Sequence, residues 1–154
     1  MNPNQKRLLA ANIITNSYRI SYLANFLQGP VYDEIAAQSN MARSEFVIVF
    51  CLKHLGELSA QDICDCTGRP KNSVSQAVTK LVKANRILRQ PDPNDARRAT
   101  LTLTALGQSL YDQLIPLFVS RERAMFSVLS KSELKQLDGL LQKLTLRTDG
   151  WACS

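Results

Sequence analysis

The sequence predicts a mostly α-helical fold with a small β-hairpin, in which a winged helix-turn-helix is flanked by long N- and C-terminal helices. Three observations support this fold class. Apolar residues recur at helical spacing through most of the 154 residues. Residues 58–104 contain, in order, a short helix, a turn, a second helix and two short β-prone runs joined by a Pro- and Asp-rich tip. Amphipathic helices are predicted on both sides of this stretch.

The N-terminal residues predict one long helix followed by a shorter, buried one. Apolar residues keep helical spacing over residues 5–27, and the pattern resumes over residues 31–38. We therefore expect a helix that breaks or kinks at Gly29 and Pro30. An almost wholly apolar helix is predicted over residues 46–55, with Gly56 as its C-cap.

The helix-turn-helix comes next. Ser59 is expected to cap a short helix over residues 60–66, and Gly68 to close it. In the following helix, residues 70–84, one face is apolar and predicted to be buried: Val74, Ala77, Val78, Leu81 and Val82. The opposite face has no Asp or Glu, and its polar groups suit phosphates and the base edges of a major groove. We predict that these residues bind DNA: Lys71, Asn72, Ser73, Ser75, Gln76, Thr79 and Lys80. An ordinary solvated helix face is the alternative, since surface helices normally show polar faces.

Two short runs, residues 87–90 and 99–103, predict a β-hairpin, and the prolines between them predict a tip without regular pairing. Arg97 and Arg98 lie where the chain returns to the second strand. Two adjacent arginines on a projecting loop suit a phosphate or a narrow minor groove. Asp95 is expected to orient Arg97 by a charge-assisted hydrogen bond. An internal salt bridge between Asp95 and Arg97, without DNA contact, is the alternative.

The wing and the start of the next helix resemble the MarR family of bacterial and archaeal regulators. The wing of that family commonly has the pattern D-P-x-D-R-R, followed at a fixed distance by L-T-x-x-G. The corresponding residues here are Asp92, Pro93, Asn94, Asp95, Ala96 and Arg97, then Leu103, Thr104, Ala105, Leu106 and Gly107. Ala96 departs from the pattern and Arg98 adds an arginine after it, so the resemblance supports Arg97 better than Arg98. It covers most of the chain and is strongest over residues 45–144.

The resemblance implies a transcriptional regulator that binds a pseudo-palindromic operator in double-stranded DNA as a homodimer, and it favours a ligand-responsive repressor. It also implies a pocket for a small aromatic or carboxylate effector, for which the candidates here are Tyr22, Phe26, Phe50 and His54. A structural role at a helix C-terminus is the alternative for His54. The competing function is a winged-helix module that binds protein or RNA without operator specificity.

The C-terminal residues predict two helices and a dimer interface. Thr104 suits the N-cap of a helix that reaches about Leu129, with Pro116 as a bend or weak point. Ser130 and Glu133 have the spacing of a capping box. Leucines recur at intervals of three and four residues along one side of the last helix and form a seam that requires a partner helix. The seam consists of Leu134, Leu137, Leu141 and Leu144. We predict a single domain over residues 1–154, with dimerisation helices at 1–40 and 105–150 and a DNA-binding part at 42–104.

Composition and charge narrow the function. A chain with 45% hydrophobic and 21% charged residues is an ordinary globular protein. The net charge is +6, and residues 58–104 carry eight Lys and Arg against four Asp and Glu, so basic charge concentrates where DNA contacts are predicted. The N-terminus lacks a secretory signal pattern, and no apolar run reaches about 18 residues. We therefore expect a cytoplasmic protein without a membrane partner.

The sequence predicts neither an enzyme nor a cofactor or metal site. Its four cysteines and one histidine lack the spacing of a zinc framework, and it has no catalytic Ser/His/Asp set and no phosphate-binding glycine loop. Cys51 is predicted to lie in the core. Whether Cys64, Cys66 or Cys153 senses redox state is left open, as are the effector, the operator and the direction of regulation.

Overall fold

A computed structural model of the protein describes residues 1–92 and 95–147, without the side chains of residues 92 and 95–98. These residues form seven helices and three strands, in the order α1 (Pro3–Ala11), α2 (Thr15–Ser39), α3 (Arg43–Leu55), β1 (Leu58–Ser59), α4 (Ala60–Thr67), α5 (Lys71–Lys83), β2 (Ile87–Asp92), β3 (Asp95–Leu103), α6 (Ala105–Phe126) and α7 (Lys131–Thr145). The chain divides into two compact units, Met1–Phe118 and Val119–Ser154. The predicted fold class, mostly helical with a small hairpin, is confirmed.

The sheet is antiparallel and has the strand order β1-β3-β2. β2 and β3 form the predicted hairpin, in which Ile87 pairs with Leu103. Regular pairing extends further than predicted, because Pro91 still pairs with Ala99 and the register shifts only after it. β2 lies at the edge of the sheet, where a proline removes no hydrogen bond to a further strand. Strand pairing therefore continues through a proline that was expected to interrupt it.

The first helical break is not at the predicted place. α1 ends at Ala11, and α2 begins at Thr15. The Asn12 side chain explains the break, because its amide nitrogen donates to the Leu8 carbonyl at 2.6 Å and its oxygen accepts from the Ile14 amide at 3.0 Å. Such local side-chain bonds compete with helical backbone bonds. The break thus comes from an asparagine rather than from glycine or proline.

The predicted break at Gly29 and Pro30 is wrong, since α2 runs through both residues. An internal proline removes one helical hydrogen bond. The next turn, however, carries Val31 and Ile35, which are 2% and 0% exposed. Burial of these two side chains offsets the lost bond and keeps the helix continuous.

The core of the first unit draws on five helices, the hairpin and the α2–α3 connection. Its largest fully buried side chains include Ile35, Met41, Ile48, Ile63, Leu81, Ile87, Leu101 and Leu114. Cys51 is buried, as predicted.

The predicted apolar face of α5 is confirmed for four of its five residues, which are buried: Val74, Ala77, Val78 and Leu81. Val82 is 38% exposed, so its predicted burial is wrong. It lies about 80° around the helix from Val74, at the edge of the stripe.

Local caps set the turn between α4 and α5. The Ser59 hydroxyl accepts from the Asp62 amide at 3.1 Å, and the Ser59 amide donates to the Asp62 carboxylate at 2.8 Å. Gly68 ends α4 with a φ of +64°, a conformation that favours glycine. Both caps were predicted, and together they fix where α5 begins.

The second unit contains the end of α6 and the whole of α7. Ser130 and Glu133 form the predicted capping box, with the Ser130 amide donating to the Glu133 carboxylate at 2.7 Å. In the leucine seam, Leu141 and Leu144 are 42% and 52% exposed. Among the described helices, none has the length and apolar character needed to cross a membrane.

Candidate nucleic-acid interface

α5 presents a polar surface on the side opposite its buried stripe. The apolar stripe packs against α3 and α4, which orients the helix. Six of the seven residues predicted on this helix are exposed: Lys71, Asn72, Ser75, Gln76, Thr79 and Lys80. Ser73 is half-buried. The structure therefore places the predicted α5 residues where a ligand as large as a DNA duplex can reach most of them.

The polar groups of this surface differ in what they offer to a ligand. Thr79 donates its hydroxyl proton to the Ser75 carbonyl at 3.0 Å, so toward a ligand it is left with acceptor lone pairs. Asn72 and Gln76 are four residues apart and lie on the same side of the helix. Their side-chain amides each offer two donors and an acceptor, which suits base edges.

Lys80 has an acidic partner that was not predicted from the sequence. Its Nζ lies 3.7 Å from Oε1 of Glu45, and the side chain of Lys80 is 69% exposed whereas that of Glu45 is 7% exposed. Glu45 is in the first turn of α3, where a negative charge interacts favourably with the helix dipole. The sequence did contain one indication, since Glu45 is the only acid in α3 and directly precedes the apolar residues 46–52.

A cleft of about 530 Å³ opens beside this pair, where the end of α2, the start of α3 and the end of α5 meet. Its lining consists of Ala36, Asn40, Met41, Ala42, Glu45, Lys80, Lys83, Ala84 and Arg86. Arg86 donates through Nη2 to the Ser39 carbonyl at 2.8 Å. Three lining residues are cations and one is an acid, so the cleft carries an excess of positive charge.

The wing residues are described only through their backbone. β3 begins at Asp95, so Asp95, Arg97 and Arg98 all belong to the hairpin. Their side chains lie outside the described part of the chain, and the predicted orientation of Arg97 by Asp95 stays a prediction. Cys153 also lies outside the described residues.

The four predicted pocket residues form two ring pairs. On α2, Tyr22 and Phe26 stack with ring centroids 4.4 Å apart. On α3, Phe50 and His54 also have centroids 4.4 Å apart. Phe50 and Phe26 are 42% and 53% exposed, so an aromatic ligand can reach both pairs.

Tyr111 of α6 adds a polar group to the second pair and was not predicted. Its hydroxyl is hydrogen-bonded to His54 Nε2 at 2.8 Å. Burial, and then the neighbouring Asp112 carboxylate, raise the pKa of Tyr111. The hydroxyl therefore keeps its proton at neutral pH and can donate it to the imidazole. This contact links His54 of α3 to α6 and is separate from the role at the helix C-terminus that was the alternative to ligand binding.

The three cysteines that the structure describes do not form a metal framework. Cys51 is buried, Cys64 is half-buried and Cys66 is exposed, and all three are free thiols. Burial, and then the nearby Cys66, raise the pKa of the Cys51 thiol. Within residues 1–92 and 95–147, no group of three or more His, Cys, Asp or Glu side chains is arranged to hold a metal ion.

Comparison with known proteins points to one family. The family model described as "MarR family" matches residues 41–99, which span α3 to β3. The transcriptional regulator FarR of Neisseria gonorrhoeae is 32% identical over 112 residues, covering 71% of this chain and 75% of FarR.

Solved structures agree with the sequence match. A MarR/EmrR family transcriptional regulator from Acinetobacter sp. ADP1 is 26% identical with a TM-score of 0.76, covering 97% of this chain and 99% of that one. The chain also shares its fold with Bordetella bronchiseptica BpsR, at a TM-score of 0.68, 21% identity, and coverage of 82% of this chain and 98% of BpsR. The DNA binding of BpsR is regulated by 6-hydroxynicotinic acid.

Proposed function

This chain belongs to the MarR family of transcriptional regulators, and on that premise we propose that it binds operator DNA as a homodimer and acts as a ligand-responsive repressor. One observation carries the proposal. α5 is anchored by a buried apolar stripe and exposes, on its other side, a surface of amides, hydroxyls and amino groups without a single acid. A helix with these two faces can lie in a major groove without repelling the phosphate backbone.

On DNA, α5 enters the major groove. Asn72 and Gln76 contact base edges, because a side-chain amide can make bidentate hydrogen bonds to adenine. Phosphates, which fix the register of the protein on the duplex, are contacted by Lys71, Ser73 and Ser75. Thr79, whose hydroxyl proton is donated to the Ser75 carbonyl, accepts instead from an amino group of a base.

The wing contacts the flanking DNA. Arg97 and Arg98 enter the adjacent minor groove or bind its phosphates, and Asp95 orients the Arg97 guanidinium. Because the guanidinium is planar and permanently charged, a fixed orientation favours binding.

Dimerisation sets the spacing of the two recognition helices, which are the α5 helices of the two chains. We assign the interface to the leucine seam of α7, Leu134, Leu137, Leu141 and Leu144, together with the N-terminal helices. Leu141 and Leu144 are large apolar side chains that are about half exposed in a single chain, and a second copy would cover them. Two-fold symmetry then predicts a pseudo-palindromic operator.

We assign the effector site to the two ring pairs, Tyr22 with Phe26 and Phe50 with His54. The rings offer stacking surfaces, and the hydrogen-bonded His54 and Tyr111 offer polar groups, a combination that suits a small aromatic or carboxylate ligand. BpsR, which has the same fold, responds to an aromatic acid. We further propose that the protein acts in the cytoplasm, where its DNA target lies, and that it needs no catalysis or cofactor to do so.

Selection of bound duplexes from a random DNA pool, repeated with candidate aromatic acids, tests the proposal. We expect enrichment of a pseudo-palindromic sequence, release of that duplex by at least one acid, and affinity that falls as salt rises. Failure to enrich any sequence, combined with binding to RNA or protein at the same salt concentration, would favour the competing interaction module.

A further inference from the structure

We infer that Glu45 withholds Lys80 from DNA and thereby lowers the sequence-independent part of the protein's DNA affinity. This inference rests on the proposed DNA-binding function. It makes Glu45 a positioning residue that lies outside α5 and acts on DNA only through a lysine of α5.

The pair is asymmetric in its surroundings. Glu45 is 6% exposed and is the one buried charged residue among those that the structure describes. Its carboxylate lines the cationic cleft, and Lys80 Nζ lies 3.7 Å away. No other basic group lies within 4.0 Å of this carboxylate in the described part of the chain. Arg86, which lines the same cleft, donates to the Ser39 carbonyl.

Moving the Lys80 ammonium from Glu45 to a phosphate would lose more free energy than the phosphate contact would gain. Glu45 would be left nearly buried without its cation, and an unpaired buried charge is strongly unfavourable. The exposed ammonium would gain one phosphate contact, whose benefit at physiological salt is mostly the release of a single counterion. Lys80 therefore stays with Glu45 in the complex, in contrast to the DNA contact that the sequence predicted for it. Each α5 then neutralises one phosphate fewer than its lysines indicate.

Lys71 is the matched control on the same helix. It is exposed like Lys80, but no carboxylate lies within 4.0 Å of it in the described residues. Lys71 is therefore available to a phosphate while Lys80 is not, and the two lysines should respond differently to the same substitution.

The salt dependence of the affinity for one fixed duplex measures this difference. We expect Lys71→Met, which removes one phosphate contact from each half of the dimer, to flatten the plot of log affinity against log salt by about 1.8 and Lys80→Met to leave the slope unchanged. Glu45→Gln keeps the shape of the side chain but removes its charge and frees Lys80. Because each half of the dimer frees one lysine, the slope should then steepen by about 1.8, which adds about a twelvefold loss of affinity between about 50 and about 200 mM salt.

The double variant Glu45→Gln/Lys80→Met completes the cycle and should return to the slope of the unsubstituted protein. Thermal unfolding of each variant shows that it is folded. If Lys80→Met flattened the slope as Lys71→Met does, or if the Glu45→Gln increase persisted without Lys80, the inference would be overturned while the proposed function stood. Absence of DNA binding by the unsubstituted protein would overturn both.

Discussion

Two residues of the L-T-x-x-G motif join the hairpin to α6. The Thr104 hydroxyl donates to the Asn85 carbonyl at 2.8 Å and accepts from the Gly107 amide at 3.0 Å, which caps the helix as predicted. Gly107 lies directly against the carbonyl oxygen of Arg86, where a Cβ atom would clash with backbone. The motif therefore ties the end of the recognition-helix segment to the start of α6, a structural reason for its spacing.

Gly107→Ala should lower the free energy of unfolding by about 1 to 3 kcal/mol, because the new methyl group must push a backbone carbonyl aside. Gly139→Ala is the matched control. A Cβ there meets nothing within 4 Å, and alanine is the better helix former by about 1 kcal/mol, so this variant should be at least as stable as the unsubstituted protein. Urea titration of both variants measures the difference, and equal stability would contradict the close approach.

Gln76→Ala should reduce affinity for the selected operator by about 1 to 3 kcal/mol for each half-site, because the amide makes sequence-specific hydrogen bonds to a base edge. The side chain is exposed, so the fold should be unaffected. Fluorescence anisotropy with the operator and with a scrambled duplex separates base reading from phosphate binding. Losses that are equal on both duplexes, or no loss on either, would place this part of α5 outside the groove.

The helix-turn-helix illustrates which elements the sequence alone determines. Ser59, Gly68 and the apolar stripe of α5 act over a few residues, so their spacing predicts caps, turn and buried face. The burial of Val82 was predicted wrongly because this residue lies at the edge of the apolar stripe, where burial depends on which neighbouring elements pack against the helix. The helix break at Pro30 was predicted wrongly for a similar reason, since burial of the neighbouring side chains outweighed the tendency of proline to interrupt a helix.

The candidate site was predicted only where it is local. The exposed residues of α5 follow from helical periodicity, and six of seven lie at the surface. Glu45 and Lys80 are 35 positions apart in sequence. His54 of α3 and Tyr111 of α6, which are hydrogen-bonded, are 57 positions apart. No periodicity encodes such pairs, because they arise from the packing of different helices. The side-chain partners of Arg97 stay a prediction. The division of the chain into dimerisation helices, 1–40 and 105–150, and a DNA-binding part, 42–104, also stays a prediction.

The capping box of α7 predicts a pH dependence. The hydrogen bonds from the Ser130 hydroxyl and then from its amide lower the pKa of Glu133 below its ordinary value of 4.5. A carboxyl whose pKa is lower in the folded state stabilises the fold above its unfolded pKa and loses that contribution as the pH falls through its folded pKa.

Ser130→Ala removes these hydrogen bonds in part, so it should destabilise the protein more at about pH 7 than at about pH 3. Urea unfolding at both pH values measures the two differences. Glu133→Gln serves as the control, since it has no charge to lose and should show little of this pH dependence. A difference between the parent and Ser130→Ala that is the same at both pH values would show that the carboxylate adds nothing to the cap.

Large apolar side chains at the surface of both units point to a partner chain. In the first unit, Ile13 is fully exposed and Ile20 and Leu23 are 55% and 50% exposed. In the second unit, Leu141 and Leu144 are similarly exposed on α7. Groups of large, exposed apolar side chains are typical of protein–protein interfaces. The proposed two-fold dimer would cover these side chains at both ends of the sequence with a second copy of the chain.

The last prediction concerns the proposed dimer interface on α7. Leu137 and Leu141 lie one turn apart in the α7 seam, and replacing both with lysine would bury like charges against their symmetry mates. We expect the interface to weaken by about 3 kcal/mol or more and the protein to sediment as a monomer with greatly reduced operator affinity. Ser132→Lys/Gln142→Lys adds the same charge on the opposite side of α7 and should remain dimeric. If the Leu137/Leu141 variant sedimented as a dimer, the seam would not form the interface, and the spacing of the recognition helices would have to be set by the N-terminal helices alone.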